Sequence, residues 1–184
     1  MSFSSIELCS KALNKIGANP ITSFNEGSVE AEICESMYEN LKQKLLCLYT
    51  WSFAIKEVEL LNSNEIGKYG YEYSYVLPVD FLRLIKISSN AKYTIAGSYL
   101  FCNDEQVKIE YVSNVDEEYF SPLFISSCIY LMAAELSISL LSDTSKYSLF
   151  YRLFNSEIKE AKSVDSMQQS NKTFDNFPLI NARK

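Results

Sequence analysis

The side chains that could carry out chemistry are carboxylates and cysteines, because the 184-residue chain contains no histidine. Without histidine there is no Ser-His-Asp or Cys-His nucleophile and no histidine-ligated metal. The five glycines form neither a G-x-G-x-x-G nor a Walker A sequence, and Gly67-Lys68-Tyr69-Gly70 has the wrong spacing for a phosphate loop. The sequence therefore predicts no cofactor and no metal site, and it favours a non-enzymatic role.

Paired carboxylates are the remaining route to catalysis. Asp116-Glu117-Glu118 and Asp104-Glu105 are local clusters, and carboxylates from two segments could hydrolyse a glycosidic bond. Glu135 lies inside an apolar segment, where a buried acid could act as a catalyst, although a serine, tyrosine or arginine partner is the simpler expectation. Because acidic clusters beside turns and ahead of helices usually face solvent or a helix dipole, a structural role is favoured.

The cysteine pattern indicates reduced, buried thiols. The five residues are widely spaced and form no C-x-x-C pair: Cys9, Cys34, Cys47, Cys102 and Cys128. Four of them sit among apolar residues, as expected of free cysteines that pack as small hydrophobic side chains. We therefore expect assembly in a reducing compartment such as a cytoplasm.

Composition limits the partners. The chain has a net charge of −6 and a pI near 4.8, so it lacks the basic surface of a tight duplex binder, although it could surround DNA without gripping it. The N-terminus has no signal-peptide pattern. The longest apolar run, from Ile129 to Leu141, contains Glu135 and is shorter than the about 20 residues that cross a membrane. No membrane partner is expected.

Helix signals lie at both ends of the chain and strand signals lie between them. Ser4 and Glu7 form a capping box before the first helix, and Gly17 supplies its left-handed end. Ser28 caps a second helix, and Ser121 with Pro122 begins a third. After residue 50 the hydrophobic period changes from about 3.6 to 2 residues, which indicates strands. A fourth helix is expected to end near Val164.

The predicted fold class is α+β. An antiparallel bundle of about four helices carries a small antiparallel β region, of about five strands, between helices two and three. The expected divisions are residues 1–50 and 120–164 for the two halves of the bundle, 51–119 for the β region, and 165–184 for an extended C-terminal arm. On the second helix, the core stripe is expected at Val29, Ile33, Met37, Leu41, Leu45 and Leu48, and the solvent face at Glu35, Glu39, Lys42 and Lys44.

Aromatic residues provide the candidate interfaces, since the chain has 13 tyrosines and 11 phenylalanines. Tyr71, Tyr73 and Tyr75 alternate onto one strand face. That face could stack bases or bind sugars, but few basic residues accompany it, so a protein–protein contact is favoured. The arm carries four apolar residues without an evident place in the core: Phe174, Phe177, Leu179 and Ile180. The arm is either frayed or docked on a neighbouring subunit.

Several segments, in order, resemble a known family. They are Ala12-Leu13-Asn14-Lys15-Ile16-Gly17 followed by Ile21; Ala31, Cys34 and Tyr38; Trp51-Ser52-Phe53-Ala54; Tyr75-Val76-Leu77-Pro78-Val79-Asp80-Phe81-Leu82-Arg83; Tyr93 and Gly97; Ile109-Glu110-Tyr111; Pro122-Leu123-Phe124; and Ala133-Ala134-Glu135-Leu136. Together, between Ile6 and Ala161, they are similar to the podovirus head-to-tail adaptors, the tail tubular protein A group. The C-terminal arm matches nothing in that family.

The resemblance implies a structural virion protein, assembled in the host cytoplasm and located in the neck of the particle. Such subunits form a homo-oligomeric ring, commonly of about twelve copies, between the portal protein and a tail or nozzle protein. DNA passes through the lumen during genome ejection without sequence-specific binding, and an acidic lumen would let it slide. Two other functions stay open: a virion-associated cell-wall hydrolase that uses paired carboxylates, and an interaction module that forms no ring.

Overall fold

The structure, a computed structural model, describes residues 3–63, 67–88 and 92–168. Within these ranges the predicted α+β class is confirmed, with two helices, a β region and two further helices in chain order. The helices are α1 Ser5–Ile16, α2 Val29–Cys47, α3 Pro122–Ser139 and α4 Thr144–Gln168. The strands are β1 Ile55–Glu59, β2 Tyr73–Val76, β3 Phe81–Ile87, β4 Thr94–Ala96, β5 Tyr99–Cys102 and β6 Lys108–Ser113.

Local capping chemistry sets the helix ends as predicted. The Ser4 hydroxyl accepts from the Glu7 backbone N–H, and the Glu7 carboxylate accepts from the Ser4 N–H in return. Gly17 ends α1 with φ 82°, a conformation that a side chain would disfavour. The hydroxyls of Ser28 and Ser121 cap α2 and α3 in the same manner as Ser4 caps α1. These residues fix where the bundle begins and ends.

The third helix is the centre of the bundle and contacts α1, α2 and α4. It is also the helix, within the described residues, that is long and apolar enough to cross a membrane by length and composition, with a mean hydropathy of 1.4. More than half of it, 56%, is buried by its neighbours. Its composition is therefore explained by its central position in the bundle.

The buried stripe of α2 differs from the expected one. Val29 is 62% and Leu48 is 47% exposed, whereas Lys42 is only 8% exposed. The observed stripe consists of Ala31, Cys34, Tyr38, Leu41, Lys42, Leu45 and Leu46. From Val29 to Leu45 the expected series advances by four residues, and each such step drifts about 40° around the helix, so Val29 lies about 160° from Leu45 and outside the core. Leu48 is the C-cap residue, beyond the last turn of α2. The placement of Lys42 on the solvent face was wrong because acidic side chains neutralise it inside the fold.

Six strands, in place of about five, form two antiparallel sheets of three strands in the described part of the chain. The first sheet has the order β1-β6-β3 and the second the order β2-β5-β4. Strand β6 joins two cores: Val112 packs into the bundle core, whereas Ile109 and Tyr111 pack into a smaller core with the second sheet. Alternate residues of a strand point to opposite faces, so β6 serves both layers.

The junction between bundle and β region is packed around Trp51. Its side chain is fully buried, and its indole N–H donates to the Leu45 carbonyl at 3.0 Å. The Phe124 ring meets the indole edge to face, with centroids 5.0 Å apart, and the Phe53 ring stacks on it at 5.9 Å. These contacts hold the entry to the β region against α3.

Helix α4 extends beyond the expected boundary of the arm. It continues to Gln168, and Asp165, placed at the start of the arm by the sequence, is 6% exposed. The Asp165 carboxylate accepts from the Ser52 N–H at 3.0 Å and from the Ser52 hydroxyl at 2.6 Å. The helix persists because this polar contact adds to its buried face. Phe174, Phe177, Leu179 and Ile180 lie outside the described residues.

The cysteine prediction is confirmed. All five thiols are free, and four of them are buried: Cys9, Cys34, Cys102 and Cys128. Burial raises the pKa of the Cys128 thiol above its ordinary range, which makes the thiolate scarce and the residue unreactive. These cysteines act as core side chains.

Candidate interface surfaces

The second sheet places the predicted tyrosine face toward the inside of the protein. Tyr75 is fully buried, and Tyr73 packs against the same small core. In register, Tyr75 lies opposite Leu100, which is also fully buried. The alternation of Tyr73 and Tyr75 onto one face was therefore right, but the face is the core face. Tyr75 offers no surface to a neighbouring chain.

Each tyrosine of the predicted face has a polar partner. The Tyr75 hydroxyl donates to the Asp104 carbonyl, and the Tyr73 hydroxyl donates to the Glu105 carboxylate at 3.3 Å. The charge of Glu105 raises the pKa of Tyr73, and burial raises that of Tyr75. Tyr71 precedes β2, is half-buried, and accepts from the Thr94 hydroxyl at 3.5 Å. Of the three tyrosines, Tyr71 and Tyr73 remain predicted interface residues, whereas Tyr75 does not.

The opposite face of the second sheet carries an apolar surface, the sheet patch, formed by the exposed side chains of Leu61, Tyr69 and Val76 together with the partly buried Tyr99. Leu61 is 81%, Tyr69 66% and Val76 47% exposed. The Val76 N–H donates to the Leu61 carbonyl at 3.4 Å, and Val76 pairs in register with Tyr99. Tyr69 covers Phe101, the neighbour of Tyr99 on this face, with ring centroids 5.2 Å apart. Contiguous exposed apolar side chains of this kind typically mark contact surfaces.

A charged contact stiffens the turn between β2 and β3. The Asp80 carboxylate accepts from the Lys56 ammonium at 2.6 Å and from the Tyr111 hydroxyl at 3.0 Å. Burial acts to raise the pKa of Asp80, but these hydrogen bonds outweigh it and hold the pKa below its ordinary value. The Asp80 carbonyl also accepts from the Asn114 N–H at 2.7 Å, so Asp80 ties the start of β3 to β1 and to the end of β6 within the first sheet.

The Asp116-Glu117-Glu118 cluster is partly used inside the fold. The Glu117 carboxylate accepts from the Tyr38 hydroxyl at 2.8 Å and lies 3.7 Å from the Lys42 ammonium, which is 3.0 Å from Glu39. Burial and the adjacent Glu117 carboxylate raise the pKa of Tyr38 well above its ordinary value, so the phenol remains a proton donor. These contacts give Glu117 a packing role, whereas Asp116 stays exposed.

Glu135 is half-buried, not enclosed, and lies near Tyr147, whose pKa is raised by burial and by the Glu135 charge. In the described ranges, no group of three or more His, Cys, Asp or Glu side chains could hold a metal ion.

The sequence missed the sheet patch because both faces of the second sheet carry apolar or aromatic residues. A period of two separates Tyr73 and Tyr75 from Ser74 and Val76, but it does not say which set faces inward. The one available signal was Leu61, an apolar residue beside a polar loop. The exposure of Leu61 depends on the pairing of residues 61–63 with β2, and the paired residues of these two segments are more than ten positions apart in the sequence.

No protein-family model matches the chain, and no curated protein matches it.

Proposed function

We propose that the chain is a structural subunit of the ring that joins the head to the tail of a podovirus, below the portal and around the DNA channel. The observation that carries the proposal is the sheet patch, an apolar surface on the second sheet of the β region that follows the Trp51 junction. A subunit with such a surface is suited to assembly, because contact with a partner removes the apolar area from water.

Some of the segments that resemble the adaptor family build the junction, which supports the proposal. Trp51 and Phe53 pack on α3, and Asp80 ties the β2–β3 turn to Lys56 and Tyr111. A chain that shares these residues would share the geometry between bundle and β region. The resemblance therefore includes residues that make packing contacts and hydrogen bonds in the fold, and it does not depend on their order along the chain alone.

The charge balance also supports passage of DNA in preference to binding it. The chain has 23 acidic and 17 basic residues. A lumen lined by such subunits would repel phosphates and lower friction on a sliding duplex. If charge reversal of acidic lumen residues to lysine in an assembled ring left DNA passage unchanged, this part of the proposal would be wrong.

Co-sedimentation with the portal ring and the tail protein of the same virus tests the proposal. We expect the purified full-length chain to sediment with the portal, and the resulting complex to recruit the tail protein. The variant Leu61→Ser with Val76→Ser should stay folded and lose one of these contacts.

The matched control is Leu149→Ser with Met167→Ser, which alters two α4 side chains that are 43% and 79% exposed and lie outside the sheet patch. It should behave like the unmodified chain. A chain that sediments with neither partner would contradict the connector function.

A further inference from the structure

A polar groove lies between α1 and α3. It encloses about 330 Å³ and is lined by Lys11, Asn14, Lys15, Ser126, Ile129 and Tyr130. No carboxylate lines it. On a chain with a net charge of −6, a cavity with two lysines and no acid is an exception that requires an explanation.

Aromatic rings hold both lysines in place. The Lys11 ammonium lies 3.8 Å from the centroid of the Phe3 ring, and the Lys15 ammonium lies 4.5 Å from that of Tyr130. Both side chains are exposed, and among the described residues neither has a carboxylate within ion-pair distance. The groove is thus a preformed cationic surface.

The complementary surface is the acidic flank, formed by Glu32, Glu35 and Glu39 of α2. The three α2 residues follow at i, i+3 and i+7 and so share one helix face. All three side chains are exposed. The lysines nearby are already paired, since Lys42 contacts Glu39 and Glu117, and Lys56 contacts Asp80.

The groove and the acidic flank lie on different sides of the bundle. On α3, Cys128 packs against α2, whereas Tyr130 lines the groove. Two residues apart on a helix are about 160° apart around its axis, so α2 and the groove lie on nearly opposite sides of α3. On α2, Cys34 faces α1 through its contact with Cys9, whereas Glu39 faces away toward Asn114. One copy therefore cannot close the contact on itself.

We propose that the groove binds the acidic flank of a neighbouring copy, so that Lys11 and Lys15 of one subunit meet Glu32 and Glu35 of the next. Because the two surfaces differ and lie apart, the contact is head-to-tail, the type that generates closed rings. This inference rests on the proposed ring and assigns its lateral contact. The net negative charge does not prevent it: repulsion is screened beyond about 8 Å at physiological salt, whereas pairs in contact are screened less.

Reciprocal charge reversal tests the contact. The groove variant carries Lys11→Glu and Lys15→Glu, and the flank variant carries Glu32→Lys and Glu35→Lys. Alone, each variant would bring like charges together, and we expect its self-association in sedimentation velocity to weaken about tenfold or more, with or without the portal ring. In an equimolar mixture every contact is again complementary, so alternating oligomers should form.

The control for net charge is Lys44→Glu with Lys159→Glu, two exposed lysines outside the groove, which should associate like the unmodified chain. Recovery in the mixture also excludes misfolding, because a misfolded variant would not be rescued. If the groove variant alone assembles normally, or if the mixture forms no oligomers, the proposed lateral contact is wrong, but the proposed ring is not contradicted. If the unmodified chain is monomeric both alone and with the portal, the proposed ring itself is wrong.

Discussion

Replacing Asp165 by alanine should separate the end of α4 from the junction. The Asp165 carboxylate is the acceptor for two donors of Ser52, a backbone N–H at 3.0 and 3.2 Å and a hydroxyl at 2.6 Å. With 6% exposure, Asp165 leaves little room for water to replace it. The substitution would leave the Ser52 N–H without its acceptor and free the last turn of α4 from the β region.

The expected decrease in the free energy of unfolding follows from these contacts. A hydrogen bond to a charged group contributes about 1.5–3 kcal/mol, and the Ser52 hydroxyl can turn to another acceptor whereas its N–H cannot. We expect Asp165→Ala to lower the free energy of unfolding by about 3 kcal/mol, and Asp165→Asn, which keeps one acceptor oxygen, by about 1 kcal/mol. For a domain of this size, 3 kcal/mol corresponds to a Tm lower by about 6–12 °C.

Thermal unfolding followed by circular dichroism measures the effect, with Glu160→Gln as the control on the exposed side of α4. The control should change stability by less than about 0.5 kcal/mol. A Tm for Asp165→Ala within about 2 °C of the unmodified chain would refute the role assigned to this contact.

Three further predictions concern the interior and the junction. Glu117→Gln should cost about 1–2 kcal/mol in urea unfolding by leaving Lys42 short of a counter-charge, and adding Lys42→Met should recover much of it. The pKa of Asp80 is lower in the folded state than in the unfolded state. Its contacts therefore add to the free energy of unfolding above the unfolded pKa of about 3.9, and this stabilisation is lost as the pH falls through the folded-state pKa. Asp80→Asn should therefore lower the free energy of unfolding at pH 7 and reduce its dependence on pH in the acid range, as measured by the midpoints of urea unfolding at a series of pH values. Tyr75→Ala should cost about 3–5 kcal/mol because it empties the small core, whereas Val76→Ala, on the exposed face, should cost less than about 0.5 kcal/mol by the same assay.

Features governed by neighbours in sequence could be predicted. The capping contacts of Ser4, Gly17 and Ser28 involve residues three or four positions away, so these capping roles could be predicted from the sequence. Pro122 is likewise at the first position of α3, where its missing N–H is harmless. The α+β class followed from these ends together with the change of period after residue 50.

Features set by distant partners could not be predicted. Lys42 was assigned to solvent because its counter-charge, Glu117, lies 75 residues later and reaches it only in the folded chain. Asp165 was assigned to the arm because Ser52, its partner, is 113 residues away. The inward direction of Tyr75 depends on which face of the second sheet meets β6, and periodicity carries no information on that choice.

Native mass spectrometry of the full-length chain, alone and after mixing with the portal ring of the same virus, tests the central claim most directly. The connector function predicts a closed oligomer of defined copy number in at least one of these samples, bound stoichiometrically to the portal when both are present. A chain that remains monomeric in both samples would contradict the connector function.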